Sequence, residues 1–129
     1  MPSIFTRIIN GEIPCHKIAE NDKFLAFLDI MPLREGHVLV IPKTEIDYIF
    51  DIDDSLLAEM MVFAKQVAHK IKAAIPCNRI GVTVIGLEVP HAHIHLIPIN
   101  TLSDMDFTKP KLNPGAEALA ETARKIRES

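Results

Sequence analysis

The chain has 129 residues, 48% of them hydrophobic, and a formal net charge of −3. That length supports one domain with a real core, and an acidic balance without a basic patch argues against nucleic acid as the main partner. No apolar run reaches the length of a membrane helix, and Cys15 and Cys77 are too few and too isolated for a disulfide framework or a zinc clip, so both are expected as small buried residues.

Ser3 is placed to cap a short first helix carrying Ile4, Phe5, Ile8 and Ile9, with Gly11 ending it. The stretch Met1 to Arg7 lacks the charged-then-apolar layout of a secretion signal, which makes the cytoplasm the expected compartment. Pro14 and Asn21-Asp22 bracket a strand over about Cys15 to Ala19, and Phe24 to Ile30 reads as a second strand closed by Pro32. The loop Leu33 to Gly36 leads into a third strand over His37 to Ile41, ending at Pro42. A long helix opens near Asp53 or Asp54, whose carboxylates suit a helix N-terminus. Its apolar positions Leu56, Leu57, Met60, Met61, Ala64, Val67, Ala68 and Ile71 recur at helical spacing and are expected in the core. Lys65, Lys70 and Lys72 fall on its solvated face, and Pro76 and Asn78 stop it. Ile80 to Ile85 and His91 to Ile99 read as the fourth and fifth strands. Asn113-Pro114 opens a last helix, rich in alanine and charge and expected to dock only loosely. The pattern predicts a single α+β domain over 1–129 with a core of about 4–99 and a C-terminal helix or tail of about 113–129. Its sheet is five-stranded and mostly antiparallel, with one long and one or two shorter helices.

The most informative stretch is His91-Ala92-His93-Ile94-His95-Leu96-Ile97. Alternate residues of a strand share a face, so the three imidazoles line one side while Ala92, Ile94 and Leu96 point to the other. A helix would scatter them, whereas Pro90 and Pro98 bracket a strand-like run. A neutral imidazole is a competent nucleophile near neutral pH. It can attack phosphorus, form a phospho-imidazole bond and yield to water, while neighbouring rings fix its tautomer, bind phosphate oxygens and protonate the leaving group. From chemistry alone a metal-dependent hydrolase competes closely, since His-x-His places two imidazoles on one ion and His37 or Glu88 completes the set. A nucleotide-binding module with little turnover is a third reading. Glycines 11, 36, 81, 86 and 115 form no phosphate-cradling loop.

Three histidines separated by single apolar residues and followed by two more resemble the signature of the histidine-triad (HIT) family of nucleotide hydrolases and transferases. The resemblance runs from Ile4 to about Ile99 and is closest to the small purine-nucleoside phosphoramidases. It implies a HIT-like fold, a purine nucleotide substrate, a homodimer whose two sheets join into one, and chemistry that needs no cofactor. It assigns His93 as the nucleophile, His95 to the phosphate and leaving atom, His91 as support and His37 as the ring that orients the triad. It places the base against Ile4, Phe5, Ile8, Phe27 and Ile30, and the ribose hydroxyls on the Asp29 carboxylate.

The chain departs from that family in three places. Leu87-Glu88 stands where related phosphoramidases carry a glutamine-serine pair, so Glu88 is expected beside the phosphate, as a proton donor if buried or, if ionised, as a charge that repels the phosphate or pairs with a histidine. Ser3 and Thr6 replace the cysteines that hold a structural zinc in some members, and no such metal is expected here. The C-terminal end lacks the tryptophan-containing tail of eukaryotic relatives.

Overall fold

A computed structural model describes residues 2–129. Its five strands are β1 (Lys17–Glu20), β2 (Phe24–Leu28), β3 (Val38–Pro42), β4 (Arg79–Thr83) and β5 (Ile94–Ile99). Its helices are α1 (Ile4–Ile9), α2 (Asp54–Ala74) and α3 (Gly115–Arg127), with 3-10 turns at Ile49–Asp51 and Leu102–Met105. The strands form one sheet in the order β1-β2-β3-β5-β4, antiparallel throughout. The α+β architecture expected from the sequence is the one observed.

Local chemistry sets the corners. The Ser3 hydroxyl accepts the Thr6 N–H at 3.0 Å and starts α1, and the Asp53 carboxylate accepts the Leu56 N–H at 2.8 Å and starts α2. Asn21 Oδ1 accepts from the backbone of Lys23 at 2.9 Å and Phe24 at 2.8 Å, which folds the β1–β2 hairpin. Gly36, one residue before His37, has φ +91°. A Cβ there would lie 3.0 Å from Ile75 Cγ1 and 3.1 Å from Pro98 Cγ, so both conformation and space call for glycine.

Alternation along the strands divides the sheet into two faces. Val38, Val40, Ile94 and Leu96 face α2 and α3, packing with Met60, Val67, Ile71, Leu119 and Ile126. Leu25, Phe27, Leu39 and Ile41 face the other way, against Phe5 of α1. The histidines belong to this second face.

Five expectations need correction. β5 begins at Ile94, not His91, because its ladder with β3 stops at the Val40–Ile94 pair. The preceding residues bond elsewhere: Ala92 N–H donates to the Ile46 carbonyl at 2.7 Å, and the His91 side chain takes the Pro42 carbonyl. β2 ends at Leu28 rather than Ile30, since Asp29 Oδ1 accepts the Met31 N–H at 3.0 Å and turns the chain; β4 ends at Thr83 rather than Ile85. Met61 is 51% exposed although its neighbour Met60 is fully buried. α3 is not loosely docked: Leu119, Ala123 and Ile126 are buried in the main core, and Arg127 donates to the Lys17 carbonyl at 2.8 Å. Its apolar stripe at three- and four-residue spacing outweighs its charged composition. Among the described residues, no helix is long and apolar enough to cross a membrane.

Candidate active site

His95 stands on β5, opposite Leu39 of β3 and Thr83 of β4. His91 and His93 lie on the extended segment that feeds β5, and His37 immediately precedes β3. The alternation seen in the sequence therefore persists beyond the strand itself. His37 and His91 have no exposed surface, and His93 and His95 keep 7% each. The His93 and His95 ring centroids are 4.9 Å apart, and the Phe5 ring meets His93 edge-on at 5.0 Å.

Buried imidazoles need partners for both nitrogens, and those partners determine the tautomers. The Leu33 N–H can only donate, and it points at His37 Nδ1 at 3.1 Å. His37 therefore carries its proton on Nε2 and donates it to His95 Nδ1 at 2.9 Å. His95 in turn holds its proton on Nε2. On the other arm, the His91 carbonyl can only accept, so His93 Nδ1 donates to it at 2.8 Å. This leaves the His93 Nε2 lone pair free. His91 Nε2–H donates to the Pro42 carbonyl at 2.8 Å, and its Nδ1 accepts from the Ser3 hydroxyl at 2.7 Å. Two adjacent rings thus present opposite chemistry: a lone pair on His93 and an N–H donor on His95.

Burial favours the neutral form of His37, His91 and His95. Burial lowers the His37 pKa to about 3, with further lowering from neighbouring His95, Lys111 and His93. Burial lowers His95 to about 4, helped by His93 and Lys111. Burial also lowers His91, partly offset by its bond to Pro42. A histidine whose folded pKa lies below its unfolded value binds fewer protons in the folded state, so stability rises with pH across that interval. We expect stability to be full above about pH 6.5 and to decline progressively as pH falls toward about 3 to 4. Chemical denaturation from pH 7 to pH 4 checks this, and His37→Asn should flatten the decline.

Asp29 sits on the same side of the sheet, its Oδ2 3.8 Å from His37 Nε2. Burial raises its pKa, opposed by the Met31 N–H and the Lys111 ammonium. Phe5 and Phe27 are buried and meet edge-to-face at 5.6 Å, Ile8 is half-buried, and Ile4 and Ile30 are 48% and 61% exposed. Phe5, Phe27 and Ile8 belong to one apolar cluster, which meets His93 through the Phe5 ring. Glu88 is exposed rather than buried, and its charge acts on Asp29. Cys15 and Cys77 are half-buried, not buried.

Several neighbours of the site carried no signal in the sequence. Phe107 covers the paired rings, its centroid 4.9 Å from His95 and 6.1 Å from His37. Lys111 adds positive charge near Asp29, His37 and His95, and the adjoining Leu112 N–H is pinned to the Pro32 carbonyl at 2.8 Å. Both lie beyond Ile99, where no periodic pattern marks them.

The metal reading meets a specific obstacle. Asp29, His37 and His95 each bring a ligand atom within 4.8 Å of the others. Yet the nitrogens that converge, His37 Nε2 and His95 Nδ1, already share a proton in the bond between them, and both His91 nitrogens are engaged. The His37–His95 pair is thus held by a hydrogen bond in place of a shared cation, while the His93 Nε2 lone pair lies outside that bond.

Comparison with known proteins agrees with this geometry. A family model described as the HIT domain matches residues 10–102. An uncharacterized HIT-like protein of Borreliella burgdorferi is 34% identical over 95% of this chain and 94% of its own length. The adenosine 5′-monophosphoramidase of Saccharomyces cerevisiae is 41% identical over 74% of this chain and 61% of its own length. The crystal structure of a Hit-like protein from Bartonella henselae superposes with a TM-score of 0.85 at 32% identity, covering 98% of this chain and 94% of that one. With His91, His93 and His95 brought together on one side of an antiparallel sheet and this family model spanning most of the sequence, the chain belongs to the HIT family.

Proposed function

We propose that this protein is a nucleoside phosphoramidase that releases a nucleoside monophosphate, such as AMP from adenosine 5′-phosphoramidate, through a nucleotidyl-histidine intermediate. The observation that carries the reading is the pair of opposed tautomers: a free His93 Nε2 lone pair beside a His95 Nε2–H. The His93 Nε2 pair attacks phosphorus and forms the P–N(imidazole) bond, and the scissile P–N bond breaks with its electrons going to the departing nitrogen. That nitrogen takes one proton from solvent while the His95 Nε2–H hydrogen-bonds to it, and leaves as the amine. Water then attacks phosphorus, returns the pair to His93 Nε2 and gives a proton back to solvent, so one water is consumed per turnover. The imidazolium that forms on His93 keeps its Nδ1–H on the His91 carbonyl, which favours developing positive charge there. His37 holds His95 in its donor form. The activity of the yeast relative supports the substrate class.

Phe5 and Phe27 supply the floor for the base, with Ile4, Ile8 and Ile30 around it, and Asp29 accepts from the ribose hydroxyls. The exposed Glu88 borders the phosphate side. Replacing Asp29 with alanine should raise KM about tenfold or more while kcat changes little, consistent with lost charge-assisted hydrogen bonds of ~1.5–3 kcal/mol. Steady-state kinetics checks it, and an unchanged KM removes Asp29 from the ribose site. Rapid alkaline quench with mass spectrometry tests the intermediate: an adduct on the peptide bearing His93 supports it, and one on another histidine overturns the assignment.

The reading includes a cytoplasmic homodimer. β4 is an edge strand with a free ladder, and beside it a groove of about 880 Å³ is lined by Tyr48, Phe50, Met61, Val84 and Ile85. Tyr48, Phe50 and Met61 are each more than half exposed, at 56%, 75% and 51%. An apolar patch next to an open edge favours a second copy, which extends the sheet and covers the groove. We expect sedimentation to give a dimer and Phe50→Glu with Ile85→Glu to give a monomer; a monomeric wild type removes this part of the reading.

A further inference from the structure

His91, the first of the three histidines, has both ring nitrogens bonded, and what holds it in place points to a further set of functional residues. His91 has no exposed surface, yet its Nδ1 is reached from α1 by the Ser3 hydroxyl at 2.7 Å. Ser3 is itself tied down: its N–H donates to Glu45 Oε1 at 2.7 Å. The same oxygen accepts the Thr6 hydroxyl at 2.6 Å. Glu45 lies in the loop after β3, so one carboxylate oxygen fastens both ends of the first turn of α1 to the sheet. These two bonds hold the Glu45 carboxyl below the usual carboxylate range. The Ser3 hydroxyl has one proton, and its short contact to His91 assigns that proton to Nδ1.

We propose that Ser3, Thr6 and Glu45 form a positioning relay that sets the tautomer of His91 and, through the His91 carbonyl, the orientation of the nucleophile His93. The inference rests on the assignment of His93 as nucleophile. Its physical basis is a sequence of obligatory donors and acceptors. With Nδ1 satisfied by Ser3, the His91 proton resides on Nε2 and bonds the Pro42 carbonyl at 2.8 Å. Without the Ser3 hydroxyl, Nδ1 keeps only the long 3.4 Å contact to the Thr6 hydroxyl, whose proton is committed to Glu45, and moving the His91 proton to Nδ1 sets the Nε2 lone pair against the Pro42 carbonyl. Either change is unfavourable and shifts the ring. The residue that shifts is the one whose carbonyl accepts the His93 Nδ1–H at 2.8 Å. A second route runs through Phe5, between Ser3 and Thr6, whose ring centroid lies 5.8 Å from His91 and 5.0 Å from His93. Both routes make an exposed carboxylate at position 45 a determinant of the reacting ring.

The test compares Ser3→Ala, Glu45→Ala and Glu45→Gln with wild type. It uses steady-state kinetics on adenosine 5′-phosphoramidate, thermal unfolding, and nitrogen-15 NMR of the histidine rings. The amide oxygen of glutamine can accept both the Ser3 N–H and the Thr6 hydroxyl, so this variant separates hydrogen bonding from charge. We expect Ser3→Ala and Glu45→Ala to unfold cooperatively and to lose on the order of 10- to 100-fold in kcat, the scale of a misplaced reactive group. Their His91 and His93 ring signals should leave the single-tautomer pattern of wild type, and Glu45→Gln should recover most of the kcat and that pattern. Unaltered His91 and His93 tautomers in Ser3→Ala would overturn the relay, as would a Glu45→Gln variant as impaired as Glu45→Ala. If Ser3→Ala does not fold, Glu45→Ala and Glu45→Gln decide by the same readings. The NMR reading needs no turnover, so an inactive wild type overturns the phosphoramidase reading without touching the relay.

Discussion

Replacing His93 with alanine is expected to leave a folded, nucleotide-binding protein whose kcat is lower by roughly 10⁴-fold or more, the scale seen when a nucleophile is removed. Folding should survive because His93 lies at the margin of the core with 7% of its surface exposed, and its one hydrogen bond goes to a backbone carbonyl. Binding should survive because the apolar floor of Phe5 and Phe27 and the carboxylate of Asp29 come from other elements. A loss confined to kcat identifies His93 as the group that becomes bonded to phosphorus. A variant with most of the activity left would move the nucleophile to another residue.

The second large effect is expected at His95. The asparagine amide in His95→Asn can reach the region of Nδ1 and keep a contact with His37, but it places no donor where Nε2–H stands. We expect kcat to fall by about 10²- to 10⁴-fold, the range for loss of a side chain that assists proton transfer, with KM little changed. An adduct on His93 should still be detectable, accumulating slowly. Because the folded pKa of His95 is near 4, its Nε2–H is present without added charge throughout the neutral range. The contribution of His95 to kcat should therefore show no inflection between pH 6 and pH 8. A titration in that range that disappears in His95→Asn would contradict the neutral-donor assignment.

Much of this site was legible before the fold. Period-two alternation over His91 to Ile97 places the three rings on one face and Ala92, Ile94 and Leu96 on the other, and the two packing clusters follow that division. The same rule places Leu39, Ile41 and His37 on the side of the site. What alternation does not reveal is where a ladder stops. The fifth strand starts three residues later than expected because its partner, Pro42, gives its carbonyl to a side chain. Local composition also misjudged α3, where exposed alanines and charges mask a buried stripe of Leu119, Thr122, Ala123 and Ile126. Long-range partners were the least visible. The contact from Ser3 to His91 joins residues 88 apart, and no local spacing announces it. The same holds for the Leu33 N–H that sets the His37 tautomer, and for Phe107 over the paired rings. Sequence pattern shows which groups share a face; the tautomers depend on single donors arriving from elsewhere.

The departures from related phosphoramidases now have a physical setting. Glu88, in the place of a glutamine-serine pair, lies exposed, where its charge acts on Asp29 without joining the histidine chain. Ser3 and Thr6, in the places of zinc-binding cysteines, join Glu45 and His91 in a network of hydrogen bonds. That arrangement ties α1 to the segment that carries His91 and His93.

The most direct measurement is AMP release from adenosine 5′-phosphoramidate in the presence of a chelator, with wild type and His93→Ala assayed side by side. Turnover by wild type alone, unaffected by the chelator, is the result expected from a His93 lone pair acting beside a His95 donor. Turnover that the chelator abolishes, or that His93→Ala retains, would contradict it.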